Sequence, residues 1–360
     1  MTVTPGVSGF PLKVLINGIE FFEFNQFTVN RDINSFVDSF NITVFNPAAS
    51  HSTKIPVGGY IEMEADGVPF FRGIIEKKEV TFPQVGSTMM LSGREELVYM
   101  SETEVDPSLG EFKNITDNEI IKTIINDGQS IPWTLQLGQA KKIEQFTVPS
   151  GGMTKGKAIE DVVKFNDFVM IKKGTTLYKL PVPRSPNTTI AERFRVTEAN
   201  GNFFFLNSRI MNVVLSEDIT RSRSQITGYT YTKGKKKLET KVDRFNKDLT
   251  DGTYAHRLRN KTIQLGISLN RRNFLAAPGK QAVDIGVMLT RAMFDNDLQA
   301  SVKFQSFGLS PLELLDTVDV EIEIEGISQY MYVAGLEYHL DQENHLYTNI
   351  TLCPFPKAIT

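Results

Sequence analysis

Hydrophobic and polar residues alternate along most of this chain, and short alternating runs are separated by turn residues. Leu12–Ile16 is an apolar run that ends at Asn17-Gly18, a hairpin signal. Phe21–Val29 and Ser39–Phe45 are rich in aromatic and β-branched residues. Tyr60–Glu64 alternates strictly, Asp66-Gly67 turns the chain, and Val68–Val80 continues as a long strand before Thr88–Ser92. Short strands with Gly and Asn turns predict a barrel or sandwich over residues 1–98.

The pattern changes over 99–205, which reads as a small α/β domain. Thr116 with Glu119 forms a capping box ahead of the stripe Ile120, Ile121, Ile124 and Ile125. A second helix is predicted from Lys157 to Phe165, followed by strands Phe168–Lys172 and Thr175–Leu180. Pro181, Pro183 and Pro186 mark a loop. Strand patterning returns at Arg209–Leu215 and Gln225–Thr232, where Lys233–Lys237 reads as a solvated hairpin tip and matches no Walker-type loop. Residues 246–297 read as a helical insertion with a helix over Lys280–Phe294, and strands resume to the end of the chain.

An internal duplication organises these pieces. Ile61-Glu62-Met63-Glu64-Ala65-Asp66-Gly67 matches Val320-Glu321-Ile322-Glu323-Ile324-Glu325-Gly326, an offset of 259 positions. An aromatic-rich strand follows each, with Gly73-Ile74 falling on Gly335-Leu336. Val29–Ile33 resembles Leu215–Ile219, and Ser39-Phe40-Asn41 meets Gln225-Ile226-Thr227 at the same offset of 186. The fold class expected is therefore mainly β with α+β insertions: two tube-like antiparallel β-barrels related by duplication. The first spans 1–98; the second spans 206–245 plus 298–360, interrupted by 246–297. The strand before that insertion and the strand after it should share one sheet, which puts Val213 and Val320 in one core. Such sheets leave edges that pair with one another or with other subunits, and repeated heterologous contacts close into rings.

The order of elements resembles the baseplate hub family of contractile phage tails, as in Mu-like phages, with relatives in pyocins and type VI secretion. The resemblance rests on Val14–Gly18, Val29–Ile33 and Ser39–Thr43 for the opening strands, and on Leu336–Leu340, Tyr347–Leu352 and Pro354 for the closing ones. It implies a homotrimer whose six barrels form a pseudo-sixfold ring around a DNA channel. That ring joins a tail tube protein to a central spike protein, with baseplate wedge proteins around it. The expected place is the virion tail baseplate, assembled in a bacterial host cytoplasm. Type VI relatives continue into a fused needle, whereas this sequence ends at Thr360, so the spike is expected to be a separate protein.

Composition narrows the chemistry. A formal net charge of −3 argues against a chain whose task is to grip nucleic acid by its phosphates, so DNA would pass without specific binding. Cys353 is the single cysteine, which excludes an intrachain disulfide and a cysteine-based zinc cluster; a buried strand residue is the expectation. The N-terminus lacks a secretion-signal pattern, and no apolar run is long enough to span a bilayer, so no membrane insertion is expected. His51, His256, His339 and His345 form no HExxH or other metal-ligand spacing, and no GxSxG occurs. No catalytic, cofactor-binding or metal-binding residue is assigned, no cofactor is expected, and the chain reads as a structural protein. The alternatives are a carbohydrate-binding or adhesin-like tail protein, with Trp133 as its sole tryptophan, or a cell-wall-degrading tail enzyme. Glu62, Glu64, Glu321 and Glu323 alternate with apolar residues and so share a strand face, which either lines the channel or is solvated on the outside of the ring.

Overall fold

The computed structural model describes residues 12–355 except 22–23, 34, 36, 46–54, 66, 83–86, 127–133, 149–151, 167, 174–175, 208, 218–224, 233–234, 244–259, 265–299 and 344. The first strands are β1 (Leu12–Ile16), β2 (Ile19–Phe21), β3 (Phe24–Asp32), β4 (Ser39–Phe45), β5 (Tyr60–Ala65), β6 (Val68–Thr81) and β7 (Thr88–Glu95). Helix α1 (Val98–Glu102) leads to β8 (Glu111–Thr116), α2 (Asp117–Asn126), β9 (Thr134–Gln136), β10 (Lys142–Thr147), α3 (Lys155–Phe165), β11 (Phe168–Lys173) and β12 (Thr176–Pro181). Then come β13 (Glu192–Ala199), β14 (Asn202–Phe205), β15 (Ile210–Glu217), β16 (Gln225–Thr232), β17 (Lys235–Asp243) and β18 (Asn260–Gln264). The chain closes with β19 (Ala300–Phe307), β20 (Thr317–Ile322), β21 (Ile327–Leu340) and β22 (Leu346–Pro354).

Two compact units emerge, one of Met1–Tyr99, Asn187–Leu215 and Val302–Leu352, the other of Met100–Pro186, Ser216–Ser301 and Cys353–Thr360. The first holds a curled fourteen-stranded sheet, antiparallel except for the β13–β20 pair among the registers described. Its strand order repeats. The first seven strands run β2-β1-β5-β6-β7-β4-β3, and the other seven run β14-β13-β20-β21-β22-β19-β15. The fold is mainly β, and the strand order repeats as the duplication suggested, except that β13 runs parallel to β20 where β1 runs antiparallel to β5.

Matching details support this correspondence. β1 and β2 are joined by Asn17-Gly18 with φ of 50° and 76°, and β13 and β14 by Asn200-Gly201 with φ of 56° and 76°. Both residues of each turn need positive φ, which an Asn-Gly pair supplies at low cost. Ile61, Met63, Val320 and Ile322 are all buried, as alternation requires. The hydrogen bonds refine the alignment. Ile75 bonds its backbone to Gly58 and Gly59, just before β5, and Val333 bonds to Leu315 and Asp316, just before β20. Tyr60 therefore corresponds to Thr317, two residues from the sequence offset, a shift that keeps every side chain on its face. The second hairpin takes up those two residues in its turn: Glu323–Glu325 forms a 3-10 turn, so Glu323 and Ile324 are not strand residues.

Two other placements differ from expectation. Gln225–Thr232 is not the counterpart of Ser39–Phe45; β19 takes that place beside β22, while β16 pairs with β17 and β18 in a separate sheet. The interruption of the second copy thus begins after β15 rather than at 246. Of 246–297, only Asn260–Gln264 is described, and it is a strand; the helix expected over Lys280–Phe294 lies outside the described residues. Residues 187–205, expected with the α/β segment, supply β13 and β14, because β13 pairs in parallel with β20. The change of unit falls at Pro186, in the proline loop. With the interruption so lengthened, β15 and β19 on either side of it pair directly and Val213 and Val320 share one sheet, but β16 and β17, the strands directly before 246, do not share a sheet with β19.

In the second unit, α2 and α3 pack together through Ile120, Ile121, Ile124 and Ile125 on one and Ala158, Ile159, Val162 and Val163 on the other. The capping box at α2 is formed: the Thr116 hydroxyl accepts from Glu119 N at 3.3 Å, and the Glu119 carboxylate accepts from Thr116 N at 3.0 Å. The Thr116 hydroxyl, which also donates to the Glu119 carboxylate at 2.6 Å, and the Thr116 N–H hold that carboxyl below its ordinary value. Its stabilising effect is therefore present above the unfolded pKa and lost as pH falls through the folded one. Glu119→Gln is expected to flatten the loss of melting temperature between pH 5 and pH 3; an unchanged acid limb would show that the box contributes nothing.

Candidate assembly surface

The two seven-strand copies meet where β3 pairs with β21, with Asp32 opposite Gly335 and Phe27 opposite Leu340. Phe27, Val29, Leu336, Tyr338 and Leu340 are buried there, and the Tyr338 ring meets Phe70 edge-on at 5.5 Å. Arg31 lies in this junction, buried although charged. It donates through Nε to Asp38 at 3.1 Å and through Nη1 to Glu313, from the second copy, at 3.3 Å. Burial by itself would lower the guanidinium pKa; Asp38, Tyr338 and Glu313 reverse this and raise it. A buried charge held by carboxylates from two segments fixes their relative register, because no other alignment satisfies it. Beside it, Thr28 Oγ1 lies 3.2 Å from His339 Nδ1, and His339 stacks on Tyr347.

Elsewhere, among the described residues, the sheet has free edges. Among the described residues β2 and β14 each pair with one strand only, as does β15. These edges carry large apolar side chains in the open: Ile19 on β2, Phe203 and Phe204 on β14, and Met211, Val214 and Leu215 on β15. Unpaired edges of this kind invite another strand.

The carboxylates face away from the core as alternation predicts, but they are not a bare acidic band. Glu62 sits opposite Arg72, which pairs with Glu96 at 2.9 Å. Glu321 sits opposite Arg195 and pairs with it at 3.1 Å. Partial burial and a hydrogen bond with Glu64 raise the Glu62 pKa, and Arg72 opposes them. Each copy thus presents alternating charge of both signs.

His339 lies 3.0 Å from Glu337, and exposed His345 lies 3.2 Å from Asp341. Among the described residues no group of three or more His, Cys, Asp or Glu side chains is placed to hold a metal ion. Cys353 is buried on β22, whereas His51, His256 and Trp133 lie outside the described residues. Among the described residues no helix is long and apolar enough to cross a membrane. Sequence reasoning quoted the Val29–Ile33 segment without giving Arg31 a role. The signal was present: Arg31 stands at an inward position of an alternating strand.

No protein-family model matches the chain, and no curated protein matches it by sequence. Solved structures do match. The tail protein from Neisseria meningitidis MC58 superposes with a TM-score of 0.72 at 14% identity, over 96% of both chains. The 43 kDa tail protein of prophage MuSo2 from Shewanella oneidensis gives 0.73 at 12% identity, over 96% of this chain and 98% of that one. The chain has the fold of phage tail proteins. A component of the E. coli type VI secretion system, the c3393 protein, also matches, with a TM-score of 0.57 at 8% identity over 95% of this chain and 77% of its own. In fold, these matches bear out the resemblance drawn from the sequence.

Proposed function

We propose that this chain is a non-enzymatic structural hub of a contractile tail baseplate. In this reading three chains form a pseudo-sixfold ring that joins the tail tube to a central spike, with wedge proteins around it and a channel for DNA through it. The carrying observation is the repeated strand order with its internal junction: one chain supplies two similar units already joined edge to edge. A threefold assembly of such chains presents six similar units to a sixfold tube. The tail proteins of similar fold support the same role. The paired charges around Glu62 and Glu321 favour a ring surface that neither holds nor strongly repels phosphate.

Mass photometry of the purified chain at micromolar concentration is the test. A homotrimer is expected. A monomer or an even-numbered oligomer would count against the ring.

A further inference from the structure

We propose that the tip of the second copy, where the Asn200-Gly201 turn lies beside the Glu323–Glu325 turn, seats a threefold partner through apolar side chains rimmed by lysine or arginine. In the hub reading above, on which the proposal rests, that partner is the central spike. The tip is the surface by which a ring of six similar units offers only three docking points.

Strand direction carries the argument. β13 runs parallel to β20, with Val196 opposite Ile322, so the Asn200-Gly201 turn at the end of β13 lies beside the turn that ends β20. In the first copy β1 runs antiparallel to β5, with Leu12 opposite Ala65 and Ile16 opposite Ile61. Its Asn17-Gly18 turn therefore lies at the start of β5, where Tyr60 N donates to Asn17 Oδ1 at 2.8 Å. The β5–β6 and β20–β21 hairpins are counterparts, so in a pseudo-sixfold ring they all point to one side. Every second one has an Asn-Gly hairpin beside it. A sixfold partner would meet unlike surfaces there, whereas a threefold one meets three that are alike.

The side chains at the tip suit docking. Phe203 and Phe204 on β14 and Ile324 in the 3-10 turn are 55%, 50% and 55% exposed. Ile324 belongs to the second copy alone, because only Asp66-Gly67 joins β5 to β6. Phe203 stands opposite Glu198 on β13, and Glu198, Glu323 and Glu325 are all exposed. Exposed aromatic rings of this kind anchor the centre of an interface, and the carboxylates around them select a basic partner.

Photocrosslinking in purified tail particles tests the surface. Phe203→benzoylphenylalanine changes an exposed position, so the purified chain should keep its melting temperature. Irradiation of the particles is expected to join the chain to a protein present in three copies, through a segment rich in lysine or arginine. Adding Glu323→Lys and Glu325→Lys to the same chain should remove most of that product. A product with the tail tube or with a wedge protein, or no product from particles that hold the chain as a trimer, overturns this surface and leaves the hub reading standing. A chain absent from the particles, or present in other than three copies, overturns both.

Discussion

Arg31→Ala is expected to destabilise the first unit by about 3–5 kcal/mol, the usual cost of removing one partner from a buried ion pair. The substitution leaves the Asp38 carboxylate buried without the cation 3.1 Å away, and it frees Glu313 of the second copy. The β3–β21 register loses this charged clamp at the same time. Urea denaturation measures the effect. Arg31→Met combined with Asp38→Asn should recover much of the loss, because no ionised group then remains uncompensated. A loss below about 1 kcal/mol for Arg31→Ala would mean that the clamp contributes little more than an exposed ion pair.

An effect of similar size is expected in the second unit from Asp117→Ala. Asp117 and Lys179 are fully buried and 2.8 Å apart. Asp117 also accepts from Asn166 Nδ2 at 3.0 Å and from the backbone N–H groups of Asn118 and Lys141, each at 2.8 Å. Lys179 donates to the Gln139 carbonyl at 2.8 Å and lies over the Phe168 ring. Removing the carboxylate leaves a buried ammonium and several unpaired donors, and about 3–5 kcal/mol should be lost. The double variant Asp117→Leu with Lys179→Met should lie much closer to the parent. Burial, with repulsion from Lys141, lowers the Lys179 pKa, while Asp117 pulls it up. The unfolded chain therefore holds more protons between the folded and unfolded values, and stability rises with pH across that window. Asp117→Asn should widen the window downward; a denaturation midpoint with the parent's alkaline pH profile would rule this out.

Arg31 and Lys179 share one lesson. Each is a charged residue at an inward position of an alternating strand, a departure from pattern that sequence shows but does not explain. Whether such a group is a buried clamp or simply turned toward solvent depends on where its partners lie. Glu313 is 282 positions from Arg31, and Asp117 is 62 from Lys179. No local rule connects them.

The amino-acid pattern by itself determined the strands of the first copy, the Asn17-Gly18 turn, the Thr116 cap, the isoleucine face of α2 and a repeat of the alternating strand at Ile61 and Val320. These depend on period, turn conformation and side-chain chemistry within a few residues, so they can be read directly. Tertiary structure decided which segments form the second copy. Strand pairing is non-local, and nothing in Glu192–Ala199 indicates that it pairs with Thr317–Ile322, or in Gln225–Thr232 that it leaves the main sheet for a sheet with Lys235–Asp243 and Asn260–Gln264. It also decided the charge of the carboxylate face. Glu321 and Arg195 are distant in sequence, and only the parallel β13–β20 register brings them together as a pair.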